Sequence, residues 1–177
     1  MMIRLREIME KDAPLMLEWM HDTEVQSGFK KNMLEASLED ALKFIQDAHG
    51  NAKLKREGQS LHFAIANEED EYLGTISLKN IDIKNKTAEF AIATRRKAHG
   101  TGVAFQATNL LLKKAFEEYD LRRVYLSVYS NNENAITLYE NCGFRFEGEF
   151  REHFVIDGKP VNWKWYGILR DEFQYQL

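Results

Sequence analysis

Apolar and charged residues alternate from Ile3 to Glu7, which predicts a short first strand. Leu15, Met16, Trp19 and Met20 then recur at helical spacing, with Asp12 as N-cap and Pro14 in the first turn. His21 to Ala36 is mixed, holds Gly28 and Lys30-Lys31, and predicts a loop. Ser37 opens a second helix, with Asp40 in the capping-box position and Leu38, Ala41, Leu42 and Ile45 as its stripe. Its end falls at Gly50-Asn51 or as late as Gly58. Leu61, Phe63 and Ile65 alternate with smaller residues, and a polar turn at Glu68 to Glu71 leads into Tyr72 to Ile81, a hairpin. Thr87 to Thr94 reads as a strand, Gly102 to Tyr119 as a helix with Val103, Ala107, Leu110, Leu111 and Ala115 inward. Strand Val124 to Tyr129 and helix Asn132 to Cys142 follow, with Gly143 placed to end that helix in the left-handed conformation. Asp157-Gly158 is a hairpin turn joining Phe150–Ile156 to Val161–Leu169.

The order is a mostly antiparallel run, a strand-helix-strand-helix unit and a closing hairpin. That is mixed α/β, with a sheet covered by helices on both faces. At 177 residues and 44% hydrophobic, the chain is expected to form one domain, 1–177. A net charge of −4 argues against a nucleic-acid partner. No run of eighteen apolar residues exists and the N-terminus has no signal-peptide h-region, so no membrane role is expected. The one cysteine, Cys142, forms no internal disulfide and fits a reducing, cytoplasmic setting.

Between the strand ending at Thr94 and the next helix lies His99-Gly100-Thr101-Gly102-Val103-Ala104. Strand, glycine loop and helix suit a phosphate, because the first helical N–H groups have no internal partner and the helix dipole adds positive charge. The P-loop spacing is absent, and the dinucleotide fingerprint fails at Phe105. Two glycines alone could be a turn. Downstream, however, the chain reads Asn132-x-x-Ala135, then Tyr139, then Gly143-Phe144. With His99-x-x-Gly102-x-Ala104, these residues resemble the GCN5-related N-acetyltransferase family, whose loop reads Gln/Arg-x-x-Gly-x-Gly/Ala. The match covers roughly Leu61 to Phe144, and His99 departs from the usual Gln or Arg.

The resemblance implies the acetyltransferase fold, its central sheet splayed between the strands ending at Thr94 and Tyr129, with acetyl-CoA lying in the split. The backbone of Ile92, Ala93 and Thr94 would pair with the pantetheine arm. His99, Gly100, Thr101, Gly102, Val103 and Ala104 would form the pyrophosphate loop, and Asn132 would contact pantetheine, although Asn131 or Asn132 can equally be a helix cap. Tyr139 is the implied general acid for the departing thiolate. Glu89 stands on a strand expected to be covered on both faces, beside Ala91 and Ala93. A carboxylate there must be paired or wet. It is either the base that deprotonates the amine or a salt-bridged structural residue. Arg95, Arg96 and Lys97 are either a solvated turn or phosphate ligands. The strand before the second helix offers Ser127 and Tyr129 but no carboxylate. Trp163, Trp165 and Tyr166 either stack on a sugar or belong to the core.

Cys142 lacks a nearby sequence partner and is not expected to be a nucleophile. His21, His49, His62 and His153 show no metal spacing, so no metal is expected. The favoured reading is direct acetyl transfer to a primary amine, without an acyl-enzyme. Glu18 to Asp22 and Gly148 to Glu152, with Asp157-Gly158, are similar to acetyltransferases of amino-sugars or ribosomal-protein N-termini. A small-molecule amine, a nucleotide-linked amino-sugar, is favoured. A polyamine, a ribosomal-protein N-terminus and a non-catalytic acyl-CoA-binding module remain open, as does a homodimer.

Overall fold

The computed structural model describes residues 2–50, 54 and 56–176. The strands are β1 (Arg4–Arg6), β2 (Leu61–Ala66), β3 (Tyr72–Asp82), β4 (Thr87–Thr94), β5 (Arg123–Tyr129), β6 (Arg145–Ile156) and β7 (Lys159–Leu169). The helices are α1 (Ala13–Met20), α2 (Thr23–Gln26), α3 (Leu38–Ala48), α4 (Val103–Lys113) and α5 (Glu133–Asn141). Among the described residues the strands form one open sheet in the order β1-β2-β3-β4-β5-β7-β6. All neighbours are antiparallel except β4 and β5. Strand alternation divides the core. Ala88 and Phe90 of β4 and Val124, Leu126 and Val128 of β5 pack under α4 and α5. Ala64, Tyr72 and Ala93 pack under α1 and α3, against Met16, Trp19 and Ile45.

Several local expectations hold for the reasons given. Ser37 caps α3 and Asp40 completes the capping box, with reciprocal bonds of 3.1 and 2.8 Å. Gly143 takes φ +92° and Phe144 N–H reaches back to Tyr139 O at 3.0 Å, ending α5. Asp157 and Gly158 both have positive φ, as the β6–β7 turn requires.

Others are corrected. Asp12 does not cap α1; its carboxylate takes the Arg6 guanidinium at 2.7 and 2.9 Å and the Met9 N–H at 2.8 Å. The predicted loop contains α2, whose four residues are too few to show periodicity; Asp22 caps it through Glu24 and Val25 N–H. α3 ends at Ala48, just before the expected Gly50 stop, and does not run on to Gly58; Asn51 lies outside the described residues. α4 is shorter than expected, passing into a π turn at Lys114–Glu118. β6 begins at Arg145, not Phe150, because its charged residues are the solvent face of an edge strand, which two register shifts interrupt.

Two features hold the end of β4. Gly74 of β3 lies opposite Thr94. A Cβ on it would collide with the Ala93 carbonyl and stand 2.9 Å from Thr94 Cα, so only glycine permits this approach. Arg95, buried, binds Glu18 at 2.7 and 3.0 Å, Glu71 at 2.8 Å and the Tyr72 carbonyl at 2.8 Å. Arg96 forks onto Asp22 with two bonds of 2.8 Å, and Lys97 meets Glu71. The basic turn is thus spent on carboxylates of α1, the turn before β3 and the start of α2.

Gly74→Ala should therefore destabilise the fold by roughly 2 kcal/mol, read as a lower urea midpoint with unchanged slope. An unmoved midpoint would mean that β3 and β4 have room to separate.

The Arg96 bond holds Asp22 down to a pKa of about 2, below the ordinary carboxylate value. A group depressed on folding contributes stability above its unfolded pKa and loses it as pH falls through its folded one. The stability gap between wild type and Asp22→Asn should be full at pH 6 and shrink between about pH 4 and 2. A gap constant over that range, in urea titrations, would show that the ion pair contributes nothing.

Candidate active site

β4 and β5 pair only over Thr87–Arg123, Ala88–Val124 and Glu89–Tyr125. Beyond Glu89 the strands part. β4 continues along β3 to Thr94, while β5 continues along β7 to Tyr129. The edge of Phe90 to Thr94 that faces β5 therefore has no strand partner, which leaves backbone N–H and C=O groups available to a ligand. Ile92, Ala93 and Thr94 lie along this opening.

The chain leaves Thr94 through the Arg96–Ala98 turn and enters the glycine loop. Gly100 and Gly102 have φ of +71° and +81°, and Gly102 is the N-cap of α4. Among the described residues no backbone carbonyl accepts from the Gly100 or Gly102 N–H. The first N–H groups of α4, from Val103 onward, also lack helical acceptors. A row of donors at a helix start beside a parted sheet suits a pyrophosphate followed by an extended arm. His99 turns its ring back toward the Thr94 carbonyl, 3.3 Å from Nε2, so it braces the loop entrance. Thr101 Oγ1 donates to Ala98 O at 2.7 Å.

α5 begins across the opening. Asn132 is its cap: its Oδ1 accepts from Ala135 N–H at 3.3 Å, which decides between the two asparagines. Tyr139 lies two turns beyond the cap, half-buried, its ring edge-on to Phe90 (5.8 Å) and Phe144 (6.0 Å). Among the described residues nothing hydrogen-bonds its hydroxyl. Burial and the neighbouring Cys142 raise its pKa, so the phenol is protonated at neutral pH. Cys142 is itself buried, its thiol pushed up to about 11, which leaves no thiolate for nucleophilic work.

Glu89 is the last paired residue of β4 and stands at the apex of the opening. It shares the α1 face with Ala91 and Ala93, opposite the face that Phe90 and Tyr139 occupy. Its side chain is 23% exposed and keeps two partners: Asn80 Nδ2 donates at 3.0 Å and Lys79 Nζ lies at 3.7 Å. Its partners are thus a lysine and an amide. Asn80 reaches Glu89 because β3 bulges between Lys79 and Asp82 and gives Asn80 a φ of +49°. Sequence reasoning missed Asn80; a bulge has no signature in a strand read by alternation. Ser127 and Tyr129 lie on the same face, with Tyr125 abreast of Glu89. Trp163 and Trp165 face the same side, whereas Tyr166 is core. His62, bonded to Ser77 at 2.7 Å, has its pKa lowered to about 4 by burial and is neutral. No metal-binding group of His, Cys, Asp or Glu occurs among the described residues, and no helix there is long and apolar enough to cross a membrane.

Comparison with known proteins agrees with this geometry. A family model described as an acetyltransferase (GNAT) domain matches residues 3–145. The chain is 32% identical over 111 residues to a spermidine N(1)-acetyltransferase of Vibrio cholerae, covering 63% of this chain and 64% of that one. It is 32% identical over 101 residues to a putative ribosomal N-acetyltransferase of Bacillus subtilis, covering 57% and 55%. The chain thus spans between half and two thirds of these curated relatives. The crystal structure of spermidine N-acetyltransferase from Vibrio cholerae in complex with CoA and spermine superposes with a TM-score of 0.83, at 25% identity and 96% coverage of both chains.

Proposed function

The chain belongs to the GNAT acetyltransferase family, and from that premise we propose that it transfers acetyl from acetyl-CoA to a primary amine of a polyamine. The observation that carries the reading is the parting of β4 and β5 directly in front of the glycine loop. The unpaired edge of Ile92 to Thr94 would hold the pantetheine amides. The N–H groups of Gly100, Gly102, Val103 and Ala104, with the Thr101 hydroxyl nearby, would hold the pyrophosphate. Asn132, already a helix cap, keeps its amide nitrogen for the same arm. The amino-sugar acceptor favoured from the sequence gives way to the polyamine alternative, because the matched relatives include spermidine acetyltransferases and none named above is an amino-sugar enzyme.

Acetyl-CoA supplies the acetyl group as a thioester whose sulfur departs as a thiolate. An ammonium cannot attack, so a proton must leave the amine first. Glu89 accepts it at its carboxylate, directly or through a water. Lys79 and Asn80 keep that carboxylate aimed while the amine is absent. Tyr139 holds a proton at Oη for the departing sulfur, and its raised pKa keeps that proton in place until it is needed. Because the two side chains lie on opposite sides of β4, base and acid address the split from opposite faces. The amine adds to the carbonyl carbon and the thiolate leaves from the tetrahedral adduct, so direct transfer needs one group to take a proton from the nitrogen and another to give one to the sulfur.

Acetyl-CoA at 100 times its Kd should stabilise the fold by about 2.7 kcal/mol, and Gly102→Asp should lose this shift by placing charge and bulk against the pyrophosphate. Free CoA should then appear with spermidine or spermine, and not with amino-sugars, in a panel of amines. A melting temperature unmoved by millimolar acetyl-CoA would sink the reading.

Tyr139→Phe removes only the hydroxyl. It should lower kcat by about 10²-fold or more while acetyl-CoA affinity holds. Glu89→Gln should lower the rate and alter the acidic limb of the kcat/KM profile. A raised KM alone would make Glu89 an acceptor-binding group, and lost stability alone would make it a structural ion pair.

A further inference from the structure

The face of the sheet that Glu89 shares carries a set of side chains that the acetyl chemistry above does not use. β5 and β7 pair Ser127 with Trp165 and Tyr129 with Trp163, so both indoles project on the Glu89 side. Their rings are 4.7 Å apart, and Tyr125 lies 6.2 Å from Trp165. Phe150 of β6 closes the outer end, 5.8 and 6.1 Å from the two indoles. Tyr125, Trp163 and Trp165 are only half-buried, so this aromatic floor remains open to a ligand. The Trp165 Nε1 is buried without a partner among the described residues, a donor still unspent.

A cation already sits on the floor. Lys30 Nζ, from the loop between α2 and α3, lies 3.5 Å from the Trp163 ring centroid. Among the described residues it makes no hydrogen bond or ion pair. Burial lowers its pKa, Lys79 acts in the same sense, and the negative charge of Glu89 opposes both. A lysine ammonium is strongly hydrated and its stem is flexible. It gives up part of its water here for the negative face of an indole and the field of Glu89. An alkyl chain ending in an ammonium is also the chemical description of a polyamine terminus.

We propose that the floor of Tyr125, Trp163 and Trp165 is the seat of the acceptor's alkylammonium group, and that Lys30 occupies this seat in the free chain and must be displaced by the acceptor. The inference deepens the polyamine reading and rests on it for the acceptor's class. The seat leads directly to Glu89, which is registered against Tyr125. Lys30 thus acts as an internal competitor that weak or uncharged acceptors cannot dislodge.

The test is calorimetric titration of spermidine and of n-butylammonium into the full chain saturated with CoA, which needs no acetyl transfer. Lys30→Met keeps the stem and removes the charge, and should tighten spermidine binding about three- to tenfold. Trp163→Leu should weaken it by a similar factor or more, in line with the strength of a desolvated cation–π contact. The double variant should bind like Trp163→Leu. n-Butylammonium should follow the same order, and n-butanol, a neutral chain of like length, should not. Lys30 is on a loop, so its variant carries the test even if Trp163→Leu fails to fold. Spermidine binding equal to or weaker than wild type in Lys30→Met overturns the proposal, as does equal binding of the neutral alcohol. An active enzyme whose affinities ignore Lys30 and Trp163 would overturn this inference alone. An inactive chain that still shows the predicted order would overturn only the catalytic reading.

Discussion

The candidate site exists because β4 and β5 agree on three residues and then diverge. A parallel pair that stayed in register would satisfy its own backbone groups and leave nothing for a ligand. Each strand is instead claimed by a different neighbour. β4 follows β3 as far as Thr94, and β5 follows β7 along its whole length. The divergence is held open at β4's far end by the Gly74 contact and by Arg95, which pins the strand's exit to Glu18, Glu71 and the Tyr72 carbonyl. An arginine this buried is tolerable because each arm of its fork has an acceptor.

The same divergence orders the chemistry. The strand edge, the glycine loop and the start of α5 come together around one opening, although they are supplied by widely separated stretches of chain. β4 acts as a partition. Phe90 on one face supports the Tyr139 ring, and Glu89 on the other meets Lys79 and Asn80 and stands abreast of Tyr125. The carboxylate and the phenol are thus kept on separate sides of one strand rather than in a shared pocket. The bulge in β3 matters for the same reason. It turns one amide out of the ladder and onto the carboxylate, to which it donates a hydrogen bond.

Much of this was legible in local sequence. Ser37 with Asp40, Gly143 after α5 and Asp157-Gly158 are local devices, and each acts on the backbone within a few residues of itself. The glycines of the loop and the Asn132-Ala135-Tyr139 spacing are equally local, and they pointed to the family without any knowledge of packing. Elements below a helical repeat in length, such as α2, escaped because periodicity needs several turns to show. Asp12 was misassigned because its carboxylate is drawn to Arg6, a tertiary partner that outbids the local cap.

The chain's own order of residues therefore determined which segments become strands and helices, where the donors of the loop lie and which family the pattern belongs to. Only the tertiary structure decided which groups meet. That Arg95 to Lys97 are spent on carboxylates, that Asn80 serves Glu89, that Glu89 and Tyr139 face opposite ways, and that Lys30 rests on Trp163 all depend on strand register and on contacts across the fold. Local propensity acts along the chain, whereas charge pairing and ring contact act through space. A sequence therefore shows the groups but not their partners.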